Sequence, residues 1–285
     1  MALRIPGIVL LVGAGLAAAP EPAVTGLDHI PIAVADLARA VDDYRALGFA
    51  LKPGRPHDNG IQNQHVKFED GTELELITAP AARDALTTTY RRHLEHGDGP
   101  AFLALFAPRM PYADERLTAA NVPHAARGGS IDFPDAGGLG YMFLSGRNKS
   151  PTDRPEHFAH ANTAQSLISV WLAADDVSRE RRLLEALGAT FVEADVRIPS
   201  EVRAPVARLA EGDVILLPRT RQAIADRRIL GATLRVTNLE TAREIFGRDQ
   251  RVPPAIVVTP AGRSVFLPPA RTHGLWLEFR ELSHE

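Results

Sequence analysis

The sequence contains no cysteine, which excludes disulfides, thiolate nucleophiles and cysteine-ligated zinc. It also has no excess of positive charge, because 32 Lys and Arg stand against 35 Asp and Glu, for a net charge of -3. Nucleic acid binding depends on clustered cations, so we expect no nucleic acid partner. No apolar run reaches the roughly 20 residues that cross a bilayer, so we expect no stable membrane span.

The most apolar stretch is IVLLVGAGLAAAPEP, residues 8–22. Its glycines could begin a dinucleotide-binding turn, but Pro20 and Pro22 would interrupt the helix, and no carboxylate stands about 20 residues further on. Arg4, the apolar run and the small residues 17–19 match a secretory signal instead. We therefore predict a signal peptide with a short linker over 1–25, export to the periplasm or medium, and no nucleotide cofactor. A cytoplasmic location is the alternative.

The rest of the chain repeats one pattern. Residues 27–49 and 167–191 each read as a strand followed by a helix that begins after an Asp and ends at a Gly. Hairpins turning at Asp70-Gly71 and Glu211-Gly212 follow these helices. With two fainter copies, the pattern predicts four βαβββ modules, over 26–80, 99–146, 165–218 and 227–282.

One such module cannot cover both faces of its sheet, so the modules must pair. We predict an α+β protein with mixed, curved sheets and outer helices. The first paired domain spans 26–146, a linker spans 147–164, and the second paired domain spans 165–282. Each pair encloses a concave face that can serve as a ligand cleft.

Alternation along the strands predicts which side chains enter the first cleft. In DHIPIAV the apolar set Ile30, Ile32 and Val34 faces the helix, so His29 faces the cleft. In TELELI the same rule sends Glu73 and Glu75 to the cleft. An imidazole and a carboxylate from the first and last strands of one module are therefore expected to converge.

The other modules serve as internal comparisons. In the third module Ser169 is expected at the place of His29 and Leu216 at the place of Glu75. In the fourth module Glu278 is expected to face the second cleft, with Gly231 at the histidine place. The fold does not require His or Glu at these positions, so the first cleft is the one that carries chemistry.

The segments GLDHIPIAVADL, PGRPHDNGIQNQHVKF, GTELELI and RPEHFAHANTA resemble the glyoxalase-like branch of the vicinal oxygen chelate (glyoxalase/bleomycin resistance/dioxygenase) superfamily. The resemblance implies paired βαβββ modules that hold one divalent metal by His and Glu. It implies isomerase, lyase or dioxygenase chemistry on a small oxygenated substrate that chelates the metal.

On matching positions, the resemblance implies that His29 and Glu75 are metal ligands and that His57 and Asn63 lie in the substrate loop. His160 in the linker is a candidate third ligand, Glu75 a candidate proton shuttle, and Arg127 a candidate partner for an anionic substrate. Nitrogen and oxygen ligands leave Zn, Mn, Fe, Ni and Mg open.

Other interpretations stay open. His29 could be a hydrogen-bonded core histidine, Glu75 a solvated strand residue and His160 a surface residue. The second module offers no ligands around Phe102 and Phe143. A metal-free protein that binds or sequesters a small molecule is therefore the alternative function, and a purely structural domain is a third. A homodimer is also left open.

Overall fold

The computed structural model describes residues 21–222, 224, 227–248, 253–259 and 261–283. The predicted signal sequence before residue 21 lies outside the described residues. The strands are β1 (Gly26–Leu27), β2 (His29–Ala33), β3 (Lys52–Pro53), β4 (Gln62–Lys67), β5 (Glu73–Thr78), β6 (Gly99–Pro100), β7 (Leu103–Phe106), β8 (Ala125–Arg127), β9 (Ser130–Asp132), β10 (Met142–Ser145), β11 (Ala164–Ala174), β12 (Thr190–Ile198), β13 (Ser200–Leu209), β14 (Gly212–Pro218), β15 (Ile229–Val236), β16 (Val257–Thr259), β17 (Gly262–Leu267) and β18 (Trp276–Leu282). The helices are α1 (Leu37–Ala46), α2 (Ala85–Leu94), α3 (Met110–Ala119), α4 (Ser178–Ala186) and α5 (Leu239–Gly247).

The element order contains the βαβββ unit four times, as predicted. The third and fourth modules share one eight-stranded sheet of order β12-β13-β14-β11-β15-β18-β17-β16. The first and second form two five-stranded sheets, β3-β4-β5-β2-β6 and β1-β7-β10-β9-β8. β1 and β2 follow each other in the chain but belong to different sheets, and so do β6 and β7. The first two modules are therefore also joined side by side.

The first module shows why the sequence folds this way. The Asp36 side chain accepts a hydrogen bond of 3.0 Å from the Arg39 N–H and caps α1. Gly48, at φ 84°, ends the helical segment in a left-handed conformation that favours glycine. The apolar face of α1 packs with Ile30 and Ile32 in the main core, so the opposite face of β2 is free to carry His29.

Helix α2 is an element that the repeat does not predict. The Asp84 side chain accepts from the Thr87 N–H at 2.8 Å, and the Thr87 hydroxyl lies 2.9 Å from the Asp84 N–H as its acceptor, which makes a capping box. Tyr90 is the buried residue that ties this helix to the concave side of the first sheet. Within the described ranges, no helix has both the length and the apolar character needed to span a membrane.

The two pairs of modules share one apolar core. Phe49 after α1 lies with its ring centroid 5.9 Å from that of Phe279 on β18, and the Tyr44 hydroxyl donates to the Thr272 carbonyl at 3.2 Å. His273, in the same loop at φ 53°, contacts Asp98 at 2.7 Å and Asp43 at 3.1 Å. The loop before β18 therefore docks on the first pair through both apolar and charged contacts.

Replacing His273 with asparagine, which tolerates positive φ, is expected to lower stability most at mildly acidic pH. Burial lowers the pKa of His273, but its hydrogen bonds and the charges of Asp98 and Asp43 outweigh burial and raise the pKa. A raised folded-state pKa gives stability that is fully present below the unfolded value of about 6.5 and lost as pH rises through the folded value. Urea midpoints of the wild type and the variant should therefore converge as the pH rises from 6 to 9. A difference that grows with pH would contradict this assignment.

Candidate functional site

The main cavity lies on the concave face of the first pair of modules and has a volume of about 820 Å³. One wall is formed by side chains of β2, β4 and β5, with Asp28 and Ser145 beside them. The other is formed by β3, by the loop that follows it, and by residues 146–154, a segment that we call the strap. This volume lies within the usual range for small-molecule sites.

His29 and Glu75 meet inside this cavity. The register of β2 and β5 pairs His29 with Glu73 and Pro31 with Glu75, which turns both carboxylates to the side of the imidazole. His29 Nε2 lies 3.9 Å from Glu75 Oε2, and both side chains are largely buried. The structure thus brings together the two groups on which the sequence-based hypothesis depends, while their chemical roles stay a prediction.

Each member of this pair is held from behind by a hydrogen bond. His29 Nδ1 lies 2.9 Å from Asp28 Oδ2, and Asp28 also accepts from the hydroxyl of Ser145 on β10. Asn63 on β4 donates its amide to Glu75 Oε1 at 2.6 Å. These hydrogen bonds occupy Nδ1 of His29 and Oε1 of Glu75. His29 Nε2 and Glu75 Oε2 are therefore the atoms that the two side chains present to each other and to a ligand.

The surrounding carboxylates set the charge state of the histidine. Burial alone lowers the pKa of His29, but the hydrogen bond to Asp28 and the charges of Asp28, Glu73 and Glu75 outweigh it and raise the pKa to about 9. At neutral pH without a metal, His29 is therefore a cation facing Glu75. The carboxylates that stabilise the protonated His29 give this part of the cavity a negative electrostatic potential.

A second charged group lies directly beside the pair. Glu73 Oε1 lies 3.2 Å from His65 Nδ1, and its other oxygen lies 3.9 Å from Lys67 Nζ. Burial raises the pKa of Glu73, but the hydrogen bond from His65 and the charges of His29, His65 and Lys67 outweigh it and lower the pKa. Glu73 therefore stays ionised and adds negative charge to the wall that carries His29.

The strap is fixed to this wall by Asp153. Lys67 Nζ donates to Asp153 Oδ2 at 2.8 Å and to the Asn148 carbonyl at 2.5 Å, and Lys52 donates to the same aspartate. Burial raises the pKa of Asp153, but the hydrogen bonds from Lys52 and Lys67 outweigh it and hold the pKa well below its usual value. Two lysines of the first sheet thus hold the connection between the two pairs of modules against the cavity.

Of the residues expected to bind substrate, His57 and Asn63 line the cavity and Arg127 does not. His57 Nε2 and Asn63 Oδ1 are buried without a hydrogen-bond partner. Arg127 lies exposed on the outer hairpin β8–β9, so the expectation that it meets a substrate in this cavity is corrected. Its position on a turn gave no information about which face the hairpin presents.

The prediction of His160 as a metal ligand is also corrected. His160 is buried behind the strap, between the rings of Phe49 and Phe68. Its Nδ1 accepts from the Ala50 N–H at 3.0 Å and its Nε2 donates to the Lys67 carbonyl at 2.9 Å. Both ring nitrogens are occupied by backbone groups, so this histidine fixes the linker and offers no lone pair to a metal.

The donor chemistry of His29 and Glu75 fits a divalent ion. One imidazole nitrogen and one carboxylate oxygen converge, and each side chain is oriented by a hydrogen bond of its own, as metal ligands usually are. Two ligands are fewer than the three of a typical catalytic zinc site. In the part of the chain that the structure describes, no group of three or more His, Asp or Glu side chains is arranged to hold a metal ion.

The second pair of modules differs at the corresponding face. The register pairs Trp171 with Ile215, so Ile215 and not Leu216 takes the place of Glu75. The alignment by sequence is wrong by one residue, and Leu216 instead faces the helices. The concave face is filled by an apolar cluster around the fully buried Trp171.

Glu278 faces the second concave side, as expected, but it is not an isolated polar residue. Its carboxylate accepts from the hydroxyls of Ser264 and Thr233 at 2.5 and 2.7 Å. Arg280 donates to both of its oxygens at 2.8 and 2.9 Å. The residue is thus neutralised within the sheet and takes no part in the main cavity.

The strap is the part of the site that sequence reasoning missed. It supplies a large part of the cavity wall, but its segment reads as a polar linker, and no local pattern shows where it lies. Glu73 faces the cleft with Glu75, as expected, but the sequence assigns it no role in the site. Lys52 and Lys67 carried no signal, since their partner Asp153 lies far away along the chain.

Comparison with known proteins agrees with this geometry. A family model described as a glyoxalase-like domain matches residues 27–188, which include the first pair of modules, the linker and the start of the third module. No curated protein matches the sequence. Since the model covers more than half of the chain, this protein belongs to the glyoxalase-like domain family and thus to the vicinal oxygen chelate superfamily.

Solved structures share the fold at low sequence identity. A variant of 4-hydroxymandelate synthase from Streptomyces coelicolor is 14% identical with a TM-score of 0.60, covering 93% of this chain and 94% of that one. A catechol 2,3-dioxygenase is 14% identical with a TM-score of 0.60, covering 92% and 90%. A xylose isomerase-like TIM barrel/4-hydroxyphenylpyruvate dioxygenase fusion protein is 14% identical with a TM-score of 0.63, covering 97% of this chain. The chain spans about half, 51%, of the length of that fusion protein. These likenesses support the paired-module fold.

Proposed function

We propose that this protein is a divalent-metal-dependent enzyme that acts on a small oxygenated molecule in the main cavity, with His29 and Glu75 as its metal ligands. The observation that carries the proposal is the 3.9 Å separation of His29 Nε2 and Glu75 Oε2, each presented by a side chain that is held from behind. Water and the oxygens of the substrate would supply the other donors to the ion. Zn, Mn, Fe, Ni and Mg all suit a nitrogen and oxygen ligand set.

The side chains of the cavity divide the work. Asp28 keeps a proton on Nδ1 of His29, so Nε2 is the atom that would bind the ion. Asn63 holds one oxygen of Glu75, so the other oxygen would bind the ion and would accept a proton from the substrate only on leaving the ion. A bound divalent ion supplies Lewis-acid polarisation of a substrate oxygen. The side chains of His29 and Glu75 are 15% exposed or less, which limits the access of bulk water to them.

The test is the metal content of protein purified without an affinity tag. We expect close to one divalent ion per chain in the wild type, and a loss of affinity on the order of 10- to 100-fold or more in His29→Ala and Glu75→Gln, by analogy with the losses that accompany perturbed metal sites. His96→Ala, which removes an exposed histidine outside the cavity, is the matched control and should keep its metal. Circular dichroism checks that each variant is folded. A wild type without stoichiometric metal, or metal retained in both cavity variants, would overturn the proposal.

A second candidate is a metal-free protein that binds or sequesters a small molecule in the same cavity. The small number of ligands favours it, because within the described residues no group of three or more His, Asp or Glu side chains is arranged to hold a metal ion. The two candidates separate in a thermal-shift screen with and without EDTA. Stabilisation by a ligand that survives EDTA supports the binding protein, and stabilisation that requires metal supports the enzyme.

A further inference from the structure

The carboxylates and most of the cations that line the main cavity come from different segments of the chain. Three carboxylates, those of Asp28, Glu73 and Glu75, lie on the wall that carries His29. The rest of the lining, formed by β3, the loop after it and the strap, carries four cations. These are Lys52, Arg55, Lys149 and Arg154. Such a separation of charge orients a ligand whose two ends differ in charge.

Two of the four cations have no internal partner. Lys52 is neutralised by Asp153, and Arg154 faces Glu156 at 3.8 Å. The side chains of Arg55 and Lys149 make no ion pair or hydrogen bond with any residue in the described part of the chain, although both line the cavity. Arg55 comes from the loop after β3 and Lys149 from the strap, so two separate segments each bring an unpaired cation to the cavity.

His57 adds a buried, unpaired nitrogen to the two exposed cations Arg55 and Lys149. It lies two residues after Arg55, it lines the cavity, and its Nε2 is buried without a hydrogen-bond partner. Buried polar atoms in folded proteins are nearly always paired, so an unpaired one beside a cavity points to a missing ligand or water. The two unpaired cations therefore mark this part of the cavity as a place for a hydrogen-bond acceptor, which the Nε2–H tautomer of His57 would also bind.

We propose that the substrate of this cavity carries an anionic group, a carboxylate or a phosphate, that binds Arg55 and Lys149 while its oxygenated end reaches His29 and Glu75. The part of this inference that concerns His29 and Glu75 rests on the proposed function. The part that concerns Arg55 and Lys149 does not. A guanidinium and an ammonium from different segments suit an oxyanion, since the guanidinium donates in a fork and the ammonium acts as a point charge. The three carboxylates beside His29 repel an anion, so the anionic end of the substrate is directed towards Arg55 and Lys149.

The test measures anion binding by titration calorimetry at constant ionic strength, with inorganic phosphate and succinate as the probes and chloride as the background. We expect saturable binding of at least one probe, about 5-fold weaker in Arg55→Gln and in Lys149→Gln and on the order of 20-fold weaker in the double variant. Arg127→Gln removes an exposed cation outside the cavity and should bind as the wild type does. Preference for phosphate or succinate identifies the anionic group.

Three results decide the inference. Loss of affinity confined to the Arg55 and Lys149 variants supports it. No saturable binding of either probe, or an equal loss in Arg127→Gln, overturns it. Repeating the titration with EDTA and in Glu75→Gln separates it from the proposed function. Anion binding that persists in EDTA and in Glu75→Gln leaves this inference standing whatever the metal content of the wild type. Bound metal in a wild type that binds neither anion overturns this inference and leaves the metal proposal standing.

Discussion

Replacing Trp171 with alanine is expected to lower the free energy of unfolding by about 3–5 kcal/mol, the usual cost of truncating a buried aromatic side chain. Trp171 is fully buried at the centre of the apolar cluster on the second concave face. Its indole N–H donates to the Thr233 hydroxyl at 3.2 Å, and that hydroxyl donates in turn to Glu278. Alanine would leave a large cavity beside a buried, charged network. Urea unfolding followed by far-ultraviolet circular dichroism measures the change without relying on tryptophan fluorescence.

Trp171→Phe is the matched control, because it keeps most of the ring volume and loses the single hydrogen bond. The free energy of unfolding of Trp171→Phe should fall by less than about 2 kcal/mol. Metal and anion binding at the first cavity should be unchanged in both variants, since Trp171 lies on the concave face of the other pair of modules. A fully stable Trp171→Ala protein would show that the second concave face is a loosely filled pocket and that the second pair of modules does not gain its stability from packing around this indole.

The sequence predicts the modules and the faces of their strands because both depend on local periodicity. Apolar residues at every second position of β2 and at helical spacing on α1 determine which side of the sheet meets the core, so the direction of His29 and Glu75 follows from residues close to them. The pairing of strands is less local. The shift from Leu216 to Ile215 arises because the register between β11 and β14 is set across more than forty residues of chain, where alignment of two apolar runs is ambiguous by one residue.

The position of the linker could not be predicted from the local sequence for the same reason, because distant contacts determine it. His160 is held by the backbone of Ala50 and Lys67, 110 and 93 residues away, and such contacts leave no periodic signal. A histidine in a polar segment reads equally well as a ligand, a surface residue or a structural residue. Helix α2 is different, because Asp84 and Thr87 with their capping geometry are a local signal that a search for helix starts could have found.

Replacing Asp153 with asparagine is expected to cost roughly 3 kcal/mol of stability, because it removes the counter-charge of buried lysines. Lys67 is 1% exposed, and its other carboxylate neighbour, Glu73, lies 3.9 Å away. Lys52 pairs with the same aspartate, so one substitution leaves two ammonium groups short of negative charge. Because Lys67 also donates to the Asn148 carbonyl, the strap is expected to loosen as well, and anion binding that depends on Lys149 should weaken.

Two comparisons make this prediction specific. The double variant Lys67→Met with Asp153→Asn removes a cation together with its partner, so it should recover part of the loss, and a double-mutant cycle measures the coupling. The lowered pKa of Asp153 gives stability that is fully present above the unfolded value of about 3.9 and lost as pH falls through the folded value. The difference between wild type and Asp153→Asn should therefore be constant from pH 7 to 5 and shrink only at lower pH. If the difference already disappears at pH 5, the ammonium groups of Lys52 and Lys67 do not hold this carboxylate ionised, and the strap is fixed by other contacts.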